Sequence, residues 1–345
     1  MNWESLDWEI LDRLRRTFLA ESPGGPGYWE NLGDLAQYDA TFGERIGWKW
    51  DAVLRELKAR GWTPPRCGPD RTAAASVTLL DWGCGSGIAG RRVIDFFGAT
   101  DFSRLFVHDH SALAMDYAEH RARQAYPGIS VGRADYRLLE GDEPLDLLVI
   151  SHVLNELDAV ARAQLAALCA RARAILWVEP GTHDVSRTLG EWRAKLQAGG
   201  LNVVAPCTHQ NACGVLVPGN ERHWCHFFAS PAANIYADSE WVKFGQRAGI
   251  DLRSLPYSFL VLDRRPAPAP DGYSRIIGQP RHYKGYAKLY NCDAGGVSDL
   301  MLQKRDAPGL FKALKHAHEP GLQKWSHENG RITRVESGGD ISQQE

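Results

Sequence analysis

The chain has 345 residues, 44% of them hydrophobic, enough for a full core and more than one typical domain, so a large α/β domain with a smaller attachment is the prior. Its 40 basic and 42 acidic side chains leave a formal charge of only −2, so any electrostatic argument for nucleic acid or a membrane has to be local. No run of about 18 uncharged apolar residues occurs, which excludes a membrane-spanning helix.

Acidic Glu4, Asp7, Glu9 and Asp12 interrupt Met1–Glu21, whereas secretory signals start basic and transit peptides avoid acids, so a cytoplasmic protein is expected. Its seven cysteines should then stay reduced, and a metal or catalytic role is more natural for some of them than a disulfide framework. Residues 1–75 form a helical N-terminal region. Trp8, Ile10, Leu11, Leu14 and Phe18 recur at helical spacing before a Ser22-Pro23-Gly24-Gly25-Pro26-Gly27 breaker. No chemistry is assigned to it.

From 76 to 264 the texture changes to short apolar runs alternating with helical stretches. Strands are predicted at 77–81, 104–109, 129–131, 145–151 and 174–179, with helices at 89–97, 112–125 and 159–173. This alternation implies βαβ units and a parallel sheet covered on both faces. A helix at 184–198, a Cys-rich insertion at 206–231, a helix at 238–248 and a strand at 257–262 follow. Pro266-Ala267-Pro268-Ala269-Pro270 reads as a stiff linker. Residues 265–325 form a small basic, β-rich C-terminal appendage with strands at 274–277, 285–290 and 297–303, a turn at Asp293-Ala294-Gly295-Gly296 and a helix at 308–318. The polar stretch 326–345 is expected to be disordered.

Leu79-Leu80-Asp81-Trp82-Gly83-Cys84-Gly85-Ser86-Gly87 places a strand, an acid and three alternating glycines before a helix. Glycines let the chain turn sharply and approach a ligand, and the helix start offers free N–H groups. Asp109 ends the second strand, where a carboxylate can accept from ribose hydroxyls, and Asp135 follows the third, on the adenine side. Gly85-Ser86-Gly87-Ile88-Ala89-Gly90 also satisfies the dinucleotide fingerprint. Asp81 and the extra Gly83 fit better the S-adenosylmethionine loop of a class I methyltransferase, a Rossmann-like fold. Ser151 closes the fourth strand, and His152 and Asn155 after it are either substrate-side groups or hydrogen-bonders at a helix start. The Asn/Asp-Pro-Pro-aromatic signature of amino-group methyltransferases is absent here. Pro206-Cys207 comes after the fifth strand, not the fourth, and is discounted as a nucleophile. No catalytic residue is assigned.

Cys207, Cys213, Cys225 and Cys292 have the spacing Cys-x5-Cys-x11-Cys-x66-Cys. Four thiolates suit tetrahedral zinc or an iron–sulfur cluster, and His209, His223 and His226 nearby leave mixed ligation open. The alternative is ordinary buried thiols, as expected for Cys169. If the four are ligands, they staple the appendage to the core.

These features together resemble the methyltransferase-like small-subunit ribosome assembly factors of mitochondria and their bacterial and archaeal relatives, the Rsm-type ribosomal small-subunit methyltransferases. The matching stretches are Leu80–Gly87, Ser151–Leu157, Val178-Glu179-Pro180-Gly181, Cys207–Phe227, Tyr257–Val261 and Arg275–Cys292. The resemblance implies a [4Fe-4S] cluster on Cys207, Cys213, Cys225 and Cys292, zinc being the alternative, and binding to small-subunit ribosomal RNA within the assembling small ribosomal subunit. From Arg253 to Lys324, twelve basic residues face six acidic ones. Arg264, Arg265, Arg275, Arg281, Lys284 and Lys288 are interleaved with Tyr273, Tyr283 and Tyr286, a pattern either for RNA or for a solvated surface. The expected roles, in order, are a non-catalytic assembly factor, an active ribosomal RNA methyltransferase and a small-molecule methyltransferase. A monomer without membrane association is expected.

Overall fold

The computed structural model describes residues 6–20, 28–66, 76–267, 272–316 and 321–336. The Ser22–Gly27 breaker, Cys67, the end of the proline-rich linker and residues 337–345 lie outside them. The chain divides into two compact units, each discontinuous in sequence. The first takes residues 1–54, 63–178 and 231–255, and the second 55–62, 179–230 and 256–345. This cuts across the expected linear division. The N-terminal helices join the α/β sheet, and the Cys-rich insertion joins the C-terminal module.

The first unit is built on β1 (Val77–Trp82), β2 (Phe102–His108), β3 (Ser130–Arg133), β4 (Leu145–Ser151) and β5 (Ala172–Pro180), all parallel in the order β3-β2-β1-β4-β5. Six of the seven residues of β4 are buried, the continuous apolar run of a strand covered on both faces. Helices Ile88–Phe97, Ala112–Ala125 and Ala159–Arg171 supply the main crossovers. Ser111 and Asp158 cap the latter two through the amides of Ala114 and Ala161. The order reverses between β1 and β4, and ligands bind at such a switch point, outside the strand C-termini. This is the class I methyltransferase, Rossmann-like arrangement anticipated from the sequence.

Helices Trp8–Ala20, Leu32–Tyr38 and Ser239–Ala248 belong to the same unit, as does most of Glu44–Ala59. Buried Arg91 explains part of this grouping. It forks onto Asp39 at 2.6 and 2.9 Å and donates to the Ser86 carbonyl at 2.6 Å, while the Tyr117 hydroxyl adds a bond to Asp39 at 3.2 Å. No helix among the described residues is long and apolar enough to cross a membrane.

In the second unit, β6 (Asn202–Ala205) and β7 (Phe227–Phe228) pair antiparallel with β8 (Pro256–Asp263). A separate sheet follows, with β9 (Arg275–His282), β10 (Tyr286–Asp293), β11 (Gly296–Gln303), β12 (Trp325–Glu328) and β13 (Arg331–Val335) in the order β12-β13-β11-β10-β9. Ile276, Ala287, Leu289, Leu300, Leu302 and Ile332 form its buried side, with Phe311 and Leu314 of helix Pro308–His316. Within the stretch expected to be disordered, residues 326–335 are ordered into β12 and β13. Asn329 and Gly330 both have positive φ, 49° and 74°, the two-residue turn that joins antiparallel strands, and buried Ile332 anchors the hairpin.

Candidate functional site

In the first unit the glycine loop runs from β1 into helix Ile88–Phe97. Gly83, Gly85 and Gly87 all have left-handed φ, of 71°, 51° and 77°, which disfavours any residue with a Cβ. At Gly83 a Cβ would meet Val153 Cγ1 at 2.5 Å, whereas at Gly85 it would meet nothing within 4 Å. Gly83 is therefore required by packing, and Gly85 faces open space. Asp109 Oδ2 accepts from the Gly85 amide at 2.9 Å, and its Oδ1 accepts from the Ser111 amide at 2.9 Å. The acid at the end of β2 thus holds the loop in place.

Asp81 is fully buried. Its Oδ2 accepts from the Gly90 amide at 3.0 Å, and Oδ1 has no hydrogen-bond partner among the described residues. Burial pushes its carboxyl up to about 7, against the pull of the Gly90 amide and Arg91. A buried carboxylate oxygen left open beside a glycine loop suits a ligand that brings a donor or positive charge, as S-adenosylmethionine does. Asp135 is exposed and commits Oδ1 to capping helix Tyr136–Glu140 through the Leu138 amide, at 2.9 Å.

The end of β4 is organised by residues that sequence reasoning left without a role. Lys49 Nζ donates to His152 Nε2 at 3.1 Å, which leaves Nδ1 to donate to Ser151 Oγ at 3.1 Å. Trp50 Nε1 also donates to Ser151 Oγ, at 3.0 Å. Burial, and then the Lys49 ammonium, hold the His152 imidazole well below the ordinary histidine range, so it is neutral. With both ring nitrogens engaged it is a strut at a left-handed residue, φ 56°, and not a free base. Ser151 accepts twice and keeps its own O–H proton for another acceptor. The Tyr38 phenol is raised by burial and then by the charges of Glu156, Asp39 and Asp109.

The four cysteines of interest all fall in the second unit. Arg60 donates to the carbonyls of Val204, Pro206 and Cys207 at 2.7, 2.9 and 3.0 Å. Arg275 adds a bond to the Pro206 carbonyl at 3.2 Å, and Glu56 bridges both guanidiniums. Although burial pushes the Glu56 carboxyl up, Arg275 and then Arg60 pull it below its ordinary value. Gly214 packs so tightly on the β10–β11 turn that a Cβ would lie 2.8 Å from the Val297 nitrogen, which seats neighbouring Cys213 beside that turn. The Ser258 hydroxyl donates to the Cys225 carbonyl at 2.6 Å, and the Gly278 amide of β9 to the His226 carbonyl at 2.8 Å. Trp224 Nε1 bonds the Gly181 carbonyl at 2.9 Å, and Gly181 itself lies where a Cβ would meet the Tyr257 nitrogen at 2.6 Å. That close backbone approach accounts for the glycine of the Glu-Pro-Gly element.

Burial pushes the Cys225 thiol up, and charge on Cys207, Cys213 and Cys292 pushes it further. Cys292 is raised by burial and then by Cys207 and Cys213. The four thiols therefore sense one another's charge. No group of three or more His, Cys, Asp or Glu among the described residues could hold a single metal ion as placed. Beside them sits Arg193, only 2% exposed. Its Nη2 donates to the carbonyls of His209 and Asn211, at 3.3 and 2.9 Å. Its Nε and Nη1 are buried with no partner among the described residues. A buried guanidinium with two unsatisfied nitrogens calls for negative charge beside it. Cys84 and Cys169 are buried, Cys169 as expected.

A family model described as mitochondrial small ribosomal subunit Rsm22 matches residues 76–319. No curated protein matches the sequence. Among solved structures, the Synechocystis PCC 6803 magnesium protoporphyrin IX methyltransferase with bound SAH is similar at 14% identity over 75% of this chain and 95% of that one, with a TM-score of 0.38. A Thermoplasma acidophilum protein is 10% identical over 65% and 96%, with a TM-score of 0.35. The ribosomal protein L11 methylase of Lactobacillus delbrueckii subsp. bulgaricus is 17% identical over 45% and 71%, with a TM-score of 0.30. At such scores none of these bears on what the chain does.

Proposed function

The chain belongs to the Rsm22 family, and from that premise we propose that it is a methyltransferase-like assembly factor of the small ribosomal subunit that binds S-adenosylmethionine and small-subunit ribosomal RNA. The observation that carries the cofactor part is the open space at Gly85, whose amide Asp109 holds, together with the unsatisfied Asp81 oxygen at the end of β1. S-adenosylmethionine would lie along Asp81, Gly83, Gly85, Gly87 and Asp109, with Asp135 and Ser151 at its edges, and would supply an electrophilic methyl group.

The engagement of both His152 ring nitrogens supports a clamp over an enzyme. The second reading is an active ribosomal RNA methyltransferase, relying on placement of the acceptor in line with the sulfonium. A small-molecule methyltransferase ranks third. We assign Cys207, Cys213, Cys225 and Cys292 to a [4Fe-4S] cluster, with zinc as the alternative. The closeness of the four thiols to one another and the two unsatisfied nitrogens of buried Arg193 support this reading. A cluster would cross-link the 206–231 loops to β10. Cytoplasmic residence belongs to the same proposal, although the family description is mitochondrial, and fractionation of the source cells decides it.

The test is transfer of labelled methyl from S-adenosylmethionine to native and stripped small subunits. Incorporation that disappears in Asp81→Ala overturns the clamp and establishes the enzyme. Cofactor and RNA binding without incorporation is the expected result.

A further inference from the structure

The RNA partner of this reading needs a surface, and the structure first removes several residues that composition had suggested. Arg275 is buried against Glu56 and the Pro206 carbonyl, its guanidinium 5.0 Å from the Phe227 ring centre. Arg265 is paired with Asp263 at 2.5 Å, and Lys324 lies 6.0 Å from the Tyr273 ring centre. What is left concentrates at one end of the C-terminal sheet.

Along β10, Ala287, Leu289 and Asn291 point into the core, so Tyr286, Lys288 and Tyr290 share the outer face. Lys288 sits directly opposite Arg281 of β9. Like charges facing each other across antiparallel strands destabilise the pair unless a counter-charge joins them. Arg281 also lies 5.5 Å from the Tyr290 ring centre. At the hairpin tip Tyr283, 45% exposed, stacks on Tyr286 with centroids 4.6 Å apart and planes 14° apart. The bond from the Tyr283 amide to the Tyr286 carbonyl, 2.8 Å, fixes the two rings together, and the Lys304 amide bonds the Gly285 carbonyl at 2.9 Å beside them. Arg281, Lys284, Lys288 and Lys304 have no carboxylate partner among the described residues. The neighbouring acids are engaged elsewhere, Asp306 with Arg331, Asp293 in its own turn, and Asp299, opposite Tyr290, with Arg222 at 3.8 Å.

We propose that this end of the β9–β10–β11 face is a platform for single-stranded RNA, resting on the proposed RNA partnership and naming where it acts. Tyr283 and Tyr286 receive unstacked bases, and the Arg281–Lys288 pair receives the phosphate between them. A duplex offers the cations its phosphates but hides its base faces from the tyrosines, and an acidic peptide leaves the ready-made aromatic stack unused.

The experiment is fluorescence anisotropy of the full-length protein with a labelled oligoribonucleotide of about 12 nucleotides, single-stranded or annealed to its complement, across a salt series. The single strand binds more tightly than the duplex. The double variant Tyr283→Ala/Tyr286→Ala weakens it about tenfold or more with the salt slope unchanged. Arg281→Glu/Lys288→Glu weakens it and reduces the slope by about 0.7, one single-strand phosphate contact. Lys315→Glu, on the helix against the buried side, leaves binding as it was, and circular dichroism confirms that each variant is folded. If wild type binds the single strand and the tyrosine variant binds it equally well, or Lys315→Glu costs as much as the charge reversal, the platform is overturned while RNA remains a partner. If wild type binds neither form above an unrelated anionic competitor, the RNA partnership falls with it.

Discussion

Asp81→Asn tests the electrostatics of the glycine loop most directly. The Asp81 carboxyl is raised from 3.8 to about 7 because it is fully buried, and one amide bond and Arg91 only partly offset the lost hydration. Raised in the folded state, the group contributes stability that is fully present below its unfolded value and is withdrawn as pH rises through about 7. Between pH 5 and 8 that is roughly two units, or about 2–3 kcal/mol at 1.36 kcal/mol per unit. Asparagine keeps the bond from the Gly90 amide and does not titrate. Urea unfolding of the cofactor-free protein, followed by tryptophan fluorescence, should therefore show a larger loss of stability from pH 5 to 8 in wild type than in Asp81→Asn, by about that amount. Equal losses in the two proteins would refute the reasoning, because they would mean that the carboxyl titrates in its ordinary range. A cation bound at the loop reverses the preference, so S-adenosylmethionine affinity in wild type should rise from pH 5 to 8, and calorimetry reads this separately.

Gly85→Ala puts a methyl into open space at a left-handed position, which costs about 1–2 kcal/mol of strain and blocks the loop. Cofactor affinity in calorimetry should fall at least tenfold while the protein stays folded; unchanged affinity places the cofactor elsewhere. Glu56→Gln leaves Arg60 and Arg275 buried without their counter-charge, and thermal unfolding should show a loss of about 3–5 kcal/mol. A loss under 1 kcal/mol would mean that the network is solvated. Cys292→Ser, purified without oxygen, should lose the iron found in wild type and unfold earlier, yet keep the S-adenosylmethionine affinity of the first unit; retained iron removes Cys292 as a ligand. Arg193→Leu deletes a guanidinium with two unsatisfied nitrogens. It should bind less iron, and its metal-free form should be more stable by about 1–3 kcal/mol. Iron content equal to wild type would sink the charge-balance argument.

The parallel sheet and its glycine loop were legible because their signals are local. Apolar runs and helical stretches alternate within about 30 residues, and three left-handed glycines sit between a strand and a helix. The hairpin at Asn329-Gly330 was equally local, yet the polarity of its surroundings hid it until Ile332 was seen to be buried. The roles of Lys49 and Trp50 were not legible. Both act on residues more than 100 positions away, and only helix Glu44–Ala59 packing beside the end of β4 gives them a partner. Composition likewise grouped Arg275 with Arg281, although one is buried against Glu56 and the other lies open on a sheet face. The sequence by itself determined the fold class, the glycine loop and which cysteines to suspect, since these depend on spacing along the chain. Only the tertiary structure decided which charges are spent on buried partners and which remain for a ligand, because that depends on the face each residue turns inward.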